Sequence, residues 1–165
     1  MQTHLSSRRR GFSLIELLVV ITLIGVISLM AMGRTSAMMT QWRVTRAAQA
    51  YAEELQSAFA IVGRDRKPVR IVFNDTIMEL RVTNRDGSVI YRKRNMGPTS
   101  AYKLDRGQVV PSTPILWIFP PGLAADTLSV NFTRQGKFRR VRLLRGGLVQ
   151  VCGNPSTLNV PCTPA

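Results

Sequence analysis

The sequence predicts an α+β protein in which one long N-terminal helix packs on a mainly antiparallel β-sheet domain. Two observations support this class. An apolar run and then an amphipathic stripe extend to residue 63 without a proline. From residue 69 onward, short segments of alternating apolar and polar residues are separated by Gly, Pro, Asn and Asp. A chain of 165 residues has room for one globular domain with a core of its own.

The first helical part has the length and composition of a membrane span. Between Phe12 and Met32 only Glu16 is charged, and a helix of this length covers roughly 30 Å of hydrocarbon. Arg8, Arg9 and Arg10 precede it, which favours a cytoplasmic N-terminus and an extracytoplasmic remainder. We therefore predict a transmembrane helix over residues 12–33. The apolar run is too long for an ordinary secretory signal.

Glu16 is unusual in this setting. A carboxylate inside a spanning helix costs about 2.5 to 3.5 kcal/mol near the centre of the bilayer, and less near the helix end. The apolar segment contains no basic residue that could pair with it. We therefore expect its partner to come from another chain.

The second half of the helix, residues 34–63, is predicted to be amphipathic. Its apolar residues recur at steps of three and four: Val44, Ala48, Tyr51, Leu55, Phe59 and Val62. Gly63 ends the pattern and Pro68 prevents its resumption. The whole helix would contain about fifty residues, and its apolar stripe would pack on the sheet.

Residues 64–165 are predicted to form the β-rich domain, and the turn residues between its first three expected strands favour a meander of antiparallel strands there. Prolines and glycines between residues 98 and 122 predict that loops concentrate there. The expected strands are Val69–Asn74, Ile77–Thr83, Val89–Arg94, Ile115–Phe119, Thr127–Phe132, Arg139–Leu144 and Leu148–Cys152.

Few residues could carry chemistry. The single histidine, His4, lies before the apolar run, so a catalytic triad or a histidine metal site in the domain is excluded. No glycine-rich phosphate loop follows a strand. We expect no enzymatic activity, no cofactor and no metal. Cys152 and Cys162 are predicted to form a disulfide that closes a short loop, as suits an oxidising compartment.

The chain is strongly basic, with 23 Lys and Arg against 9 Asp and Glu. Such a charge attracts nucleic acid, anionic lipid or acidic proteins without choosing among them, and it also suits a solvated surface. If Val141 and Leu143 face the core, Arg140 and Arg142 share the solvent face, joined across the sheet by Arg81 or Arg92. The cluster consists of Lys137, Arg139, Arg140, Arg142 and Arg145.

The run Arg10-Gly11-Phe12-Ser13-Leu14-Ile15-Glu16, with the apolar residues after it, resembles the N-terminal signature of type IV prepilins and type II secretion pseudopilins. The resemblance implies a leader peptide over residues 1–11, cut by prepilin peptidase between Gly11 and Phe12, and N-methylation of Phe12. It also implies that Glu16 pairs with the N-terminal amine of a neighbouring subunit during assembly. Gly33 stands where many members have a helix-kinking proline.

The remaining sequence resembles the GspH/FimT-type minor pseudopilin domain. The similarity lies in Ile118 to Gly122, in Val130 to Thr133 with Gly136, and in a closing strand that ends at Cys152. It implies a structural minor subunit of a type IV pilus or a type II secretion pseudopilus. The implied partners are other pilin or pseudopilin subunits, prepilin peptidase and the bacterial inner membrane, with the C-terminal domain in the periplasm before assembly.

Natural transformation is the alternative function, with DNA as a partner. Some FimT-like members bind DNA through a C-terminal Gly-Arg-x-Arg pattern. This chain has Leu148 and Gln150 at the two arginine positions. DNA binding here would therefore depend on the basic cluster at Lys137 to Arg145.

Overall fold

The computed structural model describes residues 13–110, 115–153 and 162–165, and the side chains of these except residues 31–34. Helix α1 covers Leu14–Asp65. The chain divides into two compact units between Met38 and Met39. The α+β class predicted from the sequence is confirmed.

The first unit contains the apolar part of α1. Ser13 begins the helix, because its Oγ accepts a hydrogen bond from the Ile15 N–H at 3.3 Å, as helix-capping serines do. The side chains from Leu14 to Met30 are all exposed. Among the described residues, α1 is the one helix whose length and composition would allow it to cross a membrane.

In the second unit, α1 buries the predicted stripe. Val44, Ala48, Tyr51, Leu55 and Val62 are buried, and Phe59 packs against them half-buried. The helix continues two residues beyond its predicted end at Gly63, to Asp65. The backbone N–H of Arg66 still donates to the Val62 carbonyl at 3.0 Å, so Pro68, rather than Gly63, limits the helix.

Ten strands follow in the described part of the chain. In order they are β1 Val69–Asn74, β2 Glu79–Asn84, β3 Ile90–Asn95, β4 Arg106–Val110, β5 Ile115–Phe119, β6 Leu123–Ala124, β7 Leu128–Arg134, β8 Lys137–Leu143, β9 Val149–Cys152 and β10 Thr163–Pro164. They form two five-stranded antiparallel sheets. The order is β3-β2-β1-β5-β6 in the first sheet and β10-β9-β8-β7-β4 in the second.

The observed strands correct the sequence prediction in two ways. Ile77 and Met78 belong to the turn before β2, and Met78 has a φ of 51°, which a strand residue cannot adopt. Strand β4 forms where loops alone were expected. The meander predicted for the first three strands is present, because β2 pairs with both β1 and β3. Beyond it, β5 returns to pair with β1 and β4 pairs with β7, and the sequence analysis predicted neither pairing.

The core lies between the helix and the two sheets. Tyr51 of α1 contacts one aromatic ring from each sheet edge-on, with centroid distances of 5.7 Å to Phe73 of β1 and 5.4 Å to Phe132 of β7. Phe73 and Phe132 also touch each other at 6.2 Å. All three side chains are fully buried, so this cluster holds the second unit together.

Candidate functional site

The assembly site predicted at the N-terminus lies partly within the described residues. Gly11 and Phe12 lie outside them. Glu16 lies in the first turn of α1, where the unpaired N–H groups of the helix favour a negative charge. Its side chain is exposed. No lysine, arginine or histidine occurs between Ser13 and Gly33, so the apolar part of α1 offers Glu16 no cation.

The basic cluster is divided between two faces of the second sheet. Val141 and Leu143 are buried, as predicted, and Arg140 and Arg142 point to the opposite, outer face. Arg139 lies on the helix side, where it lines a cavity of about 640 Å³ with Glu53 of α1. The alternation of side chains along β8 therefore separates Arg139 from the two arginines that flank it.

The predicted extension of the ridge by Arg81 or Arg92 is wrong. Both belong to the first sheet, on β2 and β3, whereas β8 belongs to the second. Each already binds a carboxylate, Arg81 that of Glu79 and Arg92 that of Glu54. Sequence alternation gives the face of a residue within a strand, but it does not say which strands share a sheet.

The outer face of the second sheet nevertheless collects basic and polar groups. Register aligns Arg142 with Ser129 and Gln150, and Arg140 with Asn131. The Arg140 Nε–H donates to the Asn131 Oδ1 at 2.8 Å. Arg106 on β4 reaches the same face next to Thr133. Arg145, in the turn after β8, instead pairs with Asp126 at 3.1 Å.

The sequence did not reveal two buried carboxylates that hold the first sheet together. Glu54 of α1 binds Arg92 and Arg94 of β3, at 3.3 and 2.6 Å. Glu79 on β2 binds Arg81 and Lys93. Burial alone would raise the pKa of Glu79, but the hydrogen bonds from these two cations outweigh burial and lower it. These basic residues are therefore engaged within the protein.

The predicted disulfide joins Cys152 to Cys162, with their Cα atoms 4.1 Å apart. Cys152 ends β9, and Thr163 after Cys162 pairs with Val151 of the same strand. The crosslink thus fixes the short strand β10 against β9. Within the described ranges, no group of three or more His, Cys, Asp or Glu residues has the arrangement of a metal site.

An apolar, carboxylate-bearing N-terminal helix followed by a β-rich domain defines the class of type IV pilin-like proteins. Residues 6–32 match the family described as the prokaryotic N-terminal methylation motif. The motif and the fold together support a protein of the type IV pilin and pseudopilin family. No curated protein matches the sequence.

Two crystal structures of the type IV minor pilin FimU from Pseudomonas aeruginosa, strain PAO1, resemble this chain. Both are 18% identical to it. One covers 72% of this chain and 92% of its own length with a TM-score of 0.56. The other crystal form covers 71% and 96% with a TM-score of 0.55. The similarity establishes a shared fold.

These similarities confirm several expectations about the general class of protein. The motif is that of N-terminally methylated proteins, and the fold is shared with a type IV minor pilin, which agrees with the expectation that the chain is not an enzyme. The motif and the apolar N-terminal helix indicate membrane anchoring and a pilin-type subunit. Proteins of this type assemble with other pilins and are processed by prepilin peptidase.

Proposed function

We propose that this chain is a structural minor subunit of a type IV pilus or a type II secretion pseudopilus. Prepilin peptidase would remove residues 1–11, and Phe12 would become the methylated N-terminus. The helix from Phe12 to Gly33 would cross the inner membrane with its N-terminus in the cytoplasm, and the rest would lie in the periplasm before entering the filament.

The main support is the position of Glu16 in the first turn of α1, within a segment that is otherwise apolar and whose side chains are exposed from Leu14 to Met30. An unpaired carboxylate in hydrocarbon is unfavourable, and the segment from Phe12 to Gly33 contains no cation to compensate it. Cleavage after Gly11 creates an ammonium group at the end of a neighbouring subunit. Pairing the two charges explains why a costly carboxylate occurs at this position.

The test is the variant Glu16→Ala, followed in native membranes and in sheared filaments. We expect membrane insertion and cleavage as in the unmodified chain, with strongly reduced incorporation into filaments. Thr22→Ala is the matched control, because the Thr22 hydroxyl donates within its own helix, to the Val19 carbonyl at 2.8 Å. Normal incorporation of Glu16→Ala would refute the ion pair.

Intact mass and N-terminal sequencing test processing separately. A chain that begins at methylated Phe12 supports the prepilin pathway, whereas one that begins before Gly11 or after Met32 refutes it. Co-purification with either a pilus or a secretion machinery would then distinguish the two filament types, since both use the same helix and leader.

A second function, DNA binding in natural transformation, is favoured by one observation. Arg106, Arg140 and Arg142 share the outer face of the second sheet, where their cross-strand neighbours are Ser, Thr, Asn, Gln and Cys rather than acidic residues. Guanidinium groups so arranged could neutralise phosphates without reading sequence. Lys137 and Arg139 fall on the other face and Arg145 is paired, so they would contribute less.

The DNA hypothesis is tested by titrating duplex DNA with the detergent-solubilised full chain at several salt concentrations. Replacing Arg142 by Gln should weaken binding and reduce the slope of log affinity against log salt by about one. Arg64→Gln is the control, because Arg64 is exposed but paired with Asp65. Equal effects of the two variants would reject the outer face as the binding surface.

A further inference from the structure

An exposed apolar patch covers one edge of the outer face of the first sheet. On β5, Leu116 and Ile118 are buried, so Ile115, Trp117 and Phe119 point away from the core. The rings of Trp117 and Phe119 stack with centroids 6.4 Å apart. Phe119 pairs in register with Leu123 of β6, and these two side chains are 45% and 55% exposed. We use the name aromatic patch for the surface formed by Ile115, Trp117, Phe119 and Leu123.

The backbone beneath the aromatic patch is well anchored. Gly122 N–H donates to the Phe119 carbonyl at 2.7 Å and closes the turn between β5 and β6. Ala124 N–H donates to the Arg145 carbonyl at 2.9 Å, and Ala125 N–H to the Trp117 carbonyl at 2.8 Å. A surface whose backbone is already fixed loses little conformational entropy when a partner binds.

Basic residues border the aromatic patch on the same face. Arg70 of β1 lies beside Trp117, and its side chain extends to Gly87, where an added Cβ would fall 2.4 Å from the Arg70 Nη2. Arg81 and Lys93 lie farther across the sheet and share the buried Glu79. Aromatic side chains and arginine are both enriched in protein interfaces, so Arg70 beside Trp117 suits a contact surface.

The charge of the chain selects the kind of partner. From residue 39 onward it carries nineteen basic and eight acidic side chains, an excess of eleven positive charges. In a two-fold contact between two copies, the aromatic patch would meet itself and Arg70, Arg81 and Lys93 would face like charges. A second copy is therefore disfavoured, and an acidic partner is attracted.

We propose that the aromatic patch is the docking surface for an unlike pilin-type subunit whose contact surface has an apolar centre and an acidic rim. The proposal rests on the proposed function of this chain as a filament subunit. The aromatic patch then determines which subunit binds next to this chain in the filament, in addition to the contacts between packed N-terminal helices.

Site-specific photocrosslinking in the native host tests the proposal on the full-length chain. A photoreactive phenylalanine analogue is placed at position 119 in one variant and at position 110 in another. Val110 is the matched control, because it is 43% exposed, like Ile115, but lies on the outer face of the other sheet. A third variant with the analogue at position 24, in the apolar helix, reports on filament assembly itself.

The expected result is an adduct from position 119 with a different chain that carries an N-terminal methylation motif and a net negative domain, and no such adduct from position 110. With the analogue at position 123, Phe119→Ser should lower the yield of this adduct on the order of tenfold. Val110→Ser should leave the yield unchanged.

Adducts from position 119 with a second copy, with lipid or with nucleic acid would overturn the proposal, as would the absence of adducts. If position 24 still crosslinks to other pilin-type chains in that case, the proposed filament function stands and only the docking surface is refuted. If position 24 gives no subunit adduct either, both inferences are refuted.

Discussion

Arg94 and Glu54 join the edge strand β3 to helix α1 through a contact of 2.6 Å between Arg94 Nη2 and Glu54 Oε1. The Glu54 side chain is 5% exposed, whereas those of Arg94 and Arg92 are 36% and 52% exposed. The carboxylate is thus buried and depends on its partners, while the two arginines could be hydrated without it. This difference in exposure determines how much stability is lost when one side of the contact is removed.

Removing both arginines should therefore cost more than removing the carboxylate. Arg92→Gln with Arg94→Gln leaves a buried, uncompensated charge and should lower the free energy of unfolding by about 3 to 5 kcal/mol. Glu54→Gln should lower it by about 1 to 2 kcal/mol, because the arginines can turn to water. Denaturant unfolding of the detergent-solubilised chain measures both.

Adding Glu54→Gln to the double arginine variant should restore part of the lost stability. Arg64→Gln, at the exposed pair with Asp65, serves as the control and should change stability by less than about 0.5 kcal/mol. Equal costs for the carboxylate and arginine variants would contradict the asymmetry.

Tyr51→Phe is expected to leave stability unchanged or to raise it by up to about 1 kcal/mol. The Tyr51 hydroxyl is buried and has no hydrogen-bond partner among the described residues, so its removal relieves an unpaired polar group. Burial also raises the pKa of this phenol well above its ordinary value, which keeps it neutral. Thermal unfolding of the two proteins side by side provides the comparison.

The ring of Tyr51 should matter far more than its hydroxyl. Tyr51→Ala removes the contacts with Phe73 and Phe132 and should cost about 3 to 5 kcal/mol. A large loss in Tyr51→Phe would mean that the hydroxyl has a partner and that this account of the core is incorrect.

Glu79 should make the domain sensitive to acid. Because its pKa is lowered in the folded state, its contribution to stability is complete above the unfolded value of about 4.3 and declines as pH falls toward the folded value. Glu79→Gln should thus cost about 2 kcal/mol at pH 7 and clearly less at pH 3. Urea unfolding at both pH values measures the difference.

The exposed Glu53 supplies the control for this pH dependence. Glu53→Gln should have the same small effect at both pH values, because this carboxylate has no buried ion pair in the described part of the chain. If the loss of unfolding free energy in Glu79→Gln does not change with pH, Arg81 and Lys93 do not stabilise the ionised form of Glu79.

Loss of the disulfide should lower the free energy of unfolding by about 2 to 3 kcal/mol. A crosslink that closes a loop of this size reduces the conformational entropy of the unfolded chain by about that amount. The bond joins residues ten positions apart and holds β10 on β9. Urea unfolding with and without reductant, alongside Cys152→Ser with Cys162→Ser, provides the measurement. Unchanged stability on reduction of the unmodified chain would argue that β10 docks without the crosslink.

The helix and most strands follow from patterns that act over a few residues. The apolar run after Ser13, the stripe from Val44 to Val62 and the alternation in Val69–Asn74 each report the local period of the side chains. The strands missed by this reasoning are β4, β6 and β10. The two-residue β6 and β10 are too short to show alternation, and β4 contains Gly107, whose lack of a Cβ admits Met78 and Phe73 at close range.

By itself, then, the sequence determined the apolar helix with its single carboxylate, the buried stripe, the disulfide pair and the excess of basic residues. Only the tertiary structure decided that Arg81 and Arg92 lie in a different sheet from Arg140 and Arg142, that Glu54 and Glu79 each bind two basic side chains, and that the apolar residues of β5 and β6 form one exposed patch. These outcomes depend on which distant strands pair. Pairing is fixed by the burial of the whole core, which no local period records.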